Sequence, residues 1–198
     1  MVEFKHYSSH ADQLLIMSRS YGCTPAVDIV NSFGPNYLSG IIYIGALPYT
    51  NAPHIVTKWQ MSASLKIQQH AEDPVAFRQV LAEYLKDTFI SPDSLPVEDQ
   101  QAWLAVMLTQ PRPILPRVLR RKQDKSRFWS ECGMILPLLV IHGQMDNVCS
   151  HDALVAEARA KFTNVEVESW PGVGHVPFIE KFEKFNDVVL SWVEKVSL

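Results

Sequence analysis

The chain has 198 residues, 47% hydrophobic and 20% charged, a balance that suits one globular domain with a sizeable core and excludes disorder or a collagen-like repeat. A net charge of −3 gives no general attraction for nucleic acid or an anionic membrane, so neither is expected as a partner. Three irregularly spaced cysteines, Cys23, Cys132 and Cys149, argue against a disulfide framework or a four-thiolate metal site; no leader pattern opens the chain and no apolar stretch approaches the roughly 18 residues of a membrane span, so stable membrane insertion is not expected and a cytoplasmic location is.

The first apolar run, Leu14 to Met17, reads as a strand and breaks into SRSYG, Ser18 to Gly22. Ala26, Val27, Ile29, Val30 and Phe33 then follow helical spacing up to Gly34-Pro35. Leu38 to Leu47 is apolar on both faces, as a strand covered by helices on both sides must be. From Pro48 to Cys132 the pattern is helical but punctuated by Asp-Pro, Ser-Pro-Asp and PRPILPR. Its apolar residues Trp59, Met61, Phe89, Trp103 and Met107 either line a substrate pocket or pack the insertion's own core. The basic cluster Arg117, Arg120, Arg121 and Lys122 reads as a solvated helix face without a function. Leu138 to Ile141 is the third strand; Asp152 to Phe162 is helical behind an N-cap at Ser150. Val165 to Trp170 alternates like a more exposed strand, and Phe178, Ile179, Phe182, Phe185, Val189, Trp192, Val193 and Val196 keep a helical period to the end. Strands alternating with helices predict an α/β domain with a mainly parallel sheet, made of 1–47 and 133–198, with 48–132 as a helical insertion over the carboxyl ends of the strands.

Chemistry concentrates at those ends. A strand that turns sharply into a helix at Ser20 lifts the hydroxyl off the backbone and puts the Tyr21 N–H where it can meet developing negative charge. Small residues two positions away on either side, Ser18 and Gly22, relieve crowding at such a turn. HGQMD places Asp146 after the third strand, and PGVGHVPFIE places His175 after the fourth. An alcohol, a carboxylate and an imidazole leaving one rim in this order have the layout of a proton relay. Singly, each residue also reads blandly: a turn serine, a capping aspartate, a loop histidine.

These three motifs, SRSYG, HGQMD and GVGHVPFIE, together resemble the α/β-hydrolase superfamily in its one-domain form with a helical cap. The resemblance implies Ser20 as nucleophile, Asp146 as acid, His175 as general base and the Tyr21 amide as an oxyanion donor. It assigns Glu180 to capping or anchoring the final helix and His142 and Gly143 to shaping the acid turn. It implies hydrolysis of a small ester or similar acyl substrate through an acyl-serine, with no metal or organic cofactor. The chain resembles roughly the C-terminal two thirds of a member. The strands that normally precede the elbow, and the loop, often His-Gly, that gives the second oxyanion donor, are not found in residues 1–13. Lacking one donor would weaken activity by about 3 kcal/mol. The elbow strand would also form a sheet edge, covered by a longer natural chain, by residues 1–13 or by self-association. The contrasting expectation is a non-catalytic fragment that serves as a ligand-binding or interaction module.

Overall fold

The computed structural model describes residues 14–111 and 121–197. Residues 1–13, and Arg117 and Arg120 of the basic cluster with most of the proline-rich stretch, lie outside the described residues. Strands β1 (Leu15–Arg19), β2 (Gly40–Ile44), β3 (Leu138–Gly143) and β4 (Val165–Trp170) form one parallel sheet in chain order. The register runs Met17 to Ile42, Ile42 to Leu139 and Leu139 to Glu166. Parallel neighbours need a crossover between them, so every strand ends on the same edge of the sheet. Arg19, Ile44, Gly143 and Trp170 mark that edge.

The strand pleat sorts the apolar residues of β2 and β3 onto two faces. Ile41, Tyr43, Leu138 and Val140 pack with Val27 and Val30 of α1 (Pro25–Phe33) and with Leu154. Ile42, Ile44, Leu139 and Ile141 pack against Phe185 and Trp192. Burial on both faces is why these strands read as continuous apolar runs. β1 is the outer strand among the described residues, with Leu14 47% and Met17 53% exposed. Of the expected covers for its free edge, residues 1–13 lie outside the described residues.

Within the insertion, α2 (Lys58–Gln69) starts at Thr57, whose side chain accepts from the Gln60 N–H. Asp73 accepts from the Val75 and Ala76 amides to start α3 (Pro74–Asp87), and α4 (Val97–Thr109) follows Pro96. Ile67, Phe77 and Leu81 join Leu104 and Met107 in a cluster of their own. The two ends of the insertion behave differently: Tyr49, Ile55, Phe128 and Cys132 are buried in the core beside the sheet. A π-helical turn, Phe128–Cys132, runs into the short α5 (Gly133–Ile135). After β3 comes α6 (His151–Lys161), capped by the Ser150 hydroxyl.

Three expectations are corrected here. Arg121 and Lys122 are not on a helix. Arg121 pairs with Asp28 at 2.5 Å, and the Gln123 side chain donates to the Thr24 carbonyl and to Asp28, both at 2.9 Å, so the segment is stretched along α1 by partners that helical winding would take away. The second strand stops at Ile44 because Gly45 takes φ +48°. The C-terminal helix is two pieces, α7 (Pro177–Glu180) and α8 (Phe182–Val196), divided at the non-helical Lys181. No helix among the described residues is long and apolar enough to cross a membrane.

Candidate active site

β1 runs through Arg19, and Ser20 follows at φ +53°. A serine adopts this left-handed region only where its surroundings impose it. The Leu47 N–H donates to the Ser20 carbonyl at 3.1 Å, tying the bend to the segment after β2. Ser20 to Cys23 form a 3₁₀ turn, and α1 begins only at Pro25, so the strand enters its helix through a tighter turn than the spacing predicts. Tyr21 is the residue after the bend. The crowding expected at Gly22 is absent: a Cβ there would meet no described atom within 4 Å. The tight side is Ser18, against the buried Cys23 thiol, which burial pushes up to about 12 despite the opposing pull of Ser18 and Arg19.

Asp146 is the most heavily used side chain on the edge. Its Oδ1 accepts from the Val148 and Cys149 amides at 2.7 and 3.0 Å, the turn that a capping aspartate would make. Its Oδ2 faces two imidazoles, His175 Nδ1 at 2.8 Å and His142 Nε2 at 3.0 Å. Burial would raise this carboxyl, but hydrogen bonds from His142 and His175 outweigh it and hold the group well below the usual carboxylate range. An ionised Asp146 only accepts, so it is an Nδ1–H of His175 that it meets, and in the neutral ring the unprotonated nitrogen is then Nε2. Nε2 makes no hydrogen bond to a described residue. His142 Nε2 meets two acceptors, Asp146 and the Cys149 carbonyl at 3.1 Å, which fixes its tautomer likewise.

Two glycines let these groups meet. A Cβ on Gly143 would lie 2.2 Å from the Val173 carbonyl oxygen and 2.3 Å from that of Gly174, so only glycine lets the histidine loop rest on the end of β3. A Cβ on Gly45 would lie 3.0 Å from His175 Nδ1 and 3.1 Å from Asp146 Oδ2. Arg19 pairs with Ile44 at the last position of the β1–β2 register, and Ser20 and Gly45 are the residues that follow that pair, both at positive φ. The imidazole and carboxylate thus sit over the first residue after β2, on the edge where β1 ends at Ser20.

The loop holding His175 is fastened from several sides. The Met145 N–H donates to the Val173 carbonyl at 2.9 Å, and the His175 N–H to the Thr88 carbonyl at 3.2 Å. Glu180 does not cap the final helix. Its carboxylate turns back to accept from the Gly174 amide at 2.6 Å and the Ile90 amide at 3.2 Å, clamping the histidine loop to the segment after α3. That pull accounts for the helix break at Lys181.

The aromatic residues of the insertion divide. Trp103 stacks on Phe178 at 6.3 Å between ring centroids and meets Phe89 edge-on at 5.6 Å, close to the histidine loop. Trp59 stacks on Tyr84 at 5.5 Å. Met107 packs among the helices of the insertion, and Met61 is 43% exposed. A cavity of about 220 Å³ between α3 and α4 and a polar one of about 420 Å³ bordered by Thr57, Gln144 and Asp146 both leave out Ser20 and His175. Among the described residues no group of three or more His, Cys, Asp or Glu side chains is placed to hold a metal ion.

Sequence reasoning missed Gly45, the contact of His142 with Asp146, and Arg19. Only His142 left a usable signal, standing four positions before Asp146 in HGQMD.

No family model matches the sequence, and no curated protein matches it. Solved structures do. An esterase from a Rhodococcus species is 19% identical, with a TM-score of 0.80 over 92% of this chain and 65% of that one. An esterase from Exiguobacterium antarcticum is 18% identical, with a TM-score of 0.71 over 90% of this chain and 65% of that one. A meta-cleavage product hydrolase from Pseudomonas fluorescens is 13% identical, with a TM-score of 0.67 over 93% of this chain and 65% of that one. The chain therefore has the α/β-hydrolase fold in part, spanning 65% of the length of these structures.

Proposed function

We propose that the protein is a serine hydrolase that cleaves a small ester or related acyl substrate, with Ser20 as nucleophile, His175 as general base and Asp146 as the acid that orients and stabilises it. The observation that carries this reading is the sealed His175–Asp146 pair, 2.8 Å apart with side chains 3% and 0% exposed, resting on Gly45 at the sheet edge where β1 turns through the left-handed Ser20. The chemistry follows from that placement. Ser20 Oγ forms a bond to the substrate carbonyl carbon while its proton passes to His175 Nε2. The carbonyl electron pair moves to oxygen, toward the Tyr21 N–H. Collapse breaks the bond to the alcohol, which leaves with the proton from Nε2. Water then attacks the acyl-serine with His175 as base, releasing the acid and restoring Ser20. Asp146 stays ionised throughout and supports the imidazolium.

We also propose that α2–α4 act as the cap over this rim. Leu85 and Phe89 pack with Val176, next to the base, and with Trp103 and Phe178, which supports the assignment. Turnover of 4-nitrophenyl acetate tests the reading: Ser20→Ala is expected to lower kcat by at least about 10³-fold in a folded protein. Undiminished turnover would overturn it.

A further inference from the structure

We propose that Arg19 is the anion-recognition group of this site, selecting acyl substrates that carry a carboxylate at the end of the acyl chain; this rests on the acyl-transfer reading above. The guanidinium carbon lies 5.3 Å from the centroid of Trp103 and 5.6 Å from that of Phe178, between the cap and the turn that follows His175. The aromatic faces hold the cation in place and shield it, but they satisfy none of its N–H donors. Nη1 is shut off from solvent and has no hydrogen-bond partner, whereas Nε and Nη2 are not closed off in this way. No described carboxylate pairs with Arg19.

A half-buried guanidinium without a counter-ion is costly, and burial indeed weakens its hold on the proton, against the pull of Tyr84 and Asp146. None of the acidic groups around it hydrogen-bonds to the guanidinium, although the charge of Asp146 pulls on it from a distance. Asp146 already accepts from two amides and faces two imidazoles. Burial pushes the Tyr84 phenol up to about 12 and raises the Cys23 and Cys149 thiols, so all three remain neutral near pH 7. Among the described residues no carboxylate bonds to the fork, which leaves its donors for an anion from outside. Arg19 directly precedes Ser20, and its guanidinium lies over Phe178, three residues after His175, so an anion held by the fork would sit on the rim that carries Ser20 and His175. The planar, permanently charged fork favours a carboxylate over a neutral polar group.

The test uses adipate and two six-carbon esters, the 4-nitrophenyl half-ester of adipic acid and 4-nitrophenyl hexanoate. Wild-type protein is expected to bind adipate saturably, read from tryptophan fluorescence, and to favour the half-ester in kcat/KM by at least about tenfold. Arg19→Gln is expected to weaken adipate binding by at least about tenfold and to bring the ratio of the two esters to near one, while Arg19→Lys, which keeps the charge without the fork, falls between. Circular dichroism establishes that each variant is folded, and Arg19→Lys carries the comparison if Arg19→Gln is not. Hydrolysis of both esters at similar rates without adipate binding overturns the role of Arg19 and leaves the acyl-transfer reading standing. Arg19-dependent adipate binding without hydrolysis of either ester overturns acyl transfer, and the anion site survives. Absence of both binding and hydrolysis overturns both.

Discussion

The two halves of the candidate site are built to different standards. On the β3 and β4 side, Asp146 and His175 are sealed in, His142 meets the same carboxylate oxygen, and Glu180 clamps the loop to the segment after α3. On the β1 side, Leu14 and Met17 are exposed; among the described residues the buried Arg19 Nη1 has no hydrogen-bond partner there, as His142 Nδ1 has none on the other side. The acid–base half is therefore preorganised by the interior of the fold. The half bearing Ser20 is held chiefly by its pairing with β2 and by the bond from Leu47 to its carbonyl. The denser hydrogen bonding thus lies around the Asp146–His175 pair, and the more exposed strand leads to Ser20.

Two glycines expose this contrast most sharply. Gly143→Ala drives a methyl group into the Val173 and Gly174 carbonyls, so it should destabilise the fold by about 3 kcal/mol, lowering Tm by roughly 6–12 °C. A variant melting like the wild type would show that the histidine loop is looser than the contacts imply. His142→Phe keeps the bulk but removes the donor to Asp146 and to the Cys149 carbonyl; denaturant titration should find it about 2 kcal/mol less stable, with kcat falling more than KM rises. An unchanged kcat would reduce His142 to packing.

The pH dependence comes next in size. Asp146 is depressed below its ordinary 3.8 in the folded state, by hydrogen bonds from His142 and His175 that outweigh burial. Its stabilisation is therefore complete above the unfolded value of about 4 and is lost as pH falls from there through the folded value. Asp146→Asn should flatten that acid limb by about 1–2 kcal/mol while lowering stability at neutral pH. An acid limb identical in both proteins would contradict the buried-carboxylate account. Smallest of all is Gly22→Ala on the β1 side, where a Cβ finds open space; stability should rise by no more than about 1 kcal/mol. A large loss there would place crowding on the wrong side of the bend.

The same contrast explains what could be read from the sequence. The sheet was legible because apolar runs buried on both faces need no partner to be recognised, as at β2 and β3. The candidate chemistry was legible because Ser20, Asp146 and His175 each come shortly after the end of a strand that the sequence shows. Gly45 was not, because its need for φ +48° and for contact with His175 exists only once three distant loops meet. Arg19 escaped for the same reason, its partners Trp103 and Phe178 lying far along the chain. The basic stretch near Arg121 misled because helical spacing says nothing of the pull of Asp28. The final helix misled because Phe178 and Ile179 keep facing inward across the break that Glu180 imposes.

Covalent labelling with a fluorophosphonate, located by peptide mass spectrometry, bears most directly on the claim that Ser20 is activated by the buried His175–Asp146 pair. One phosphonyl group per chain on Ser20, lost in folded His175→Ala, is the expected result. A folded wild-type protein that takes no label, or takes it on another serine, would contradict the account.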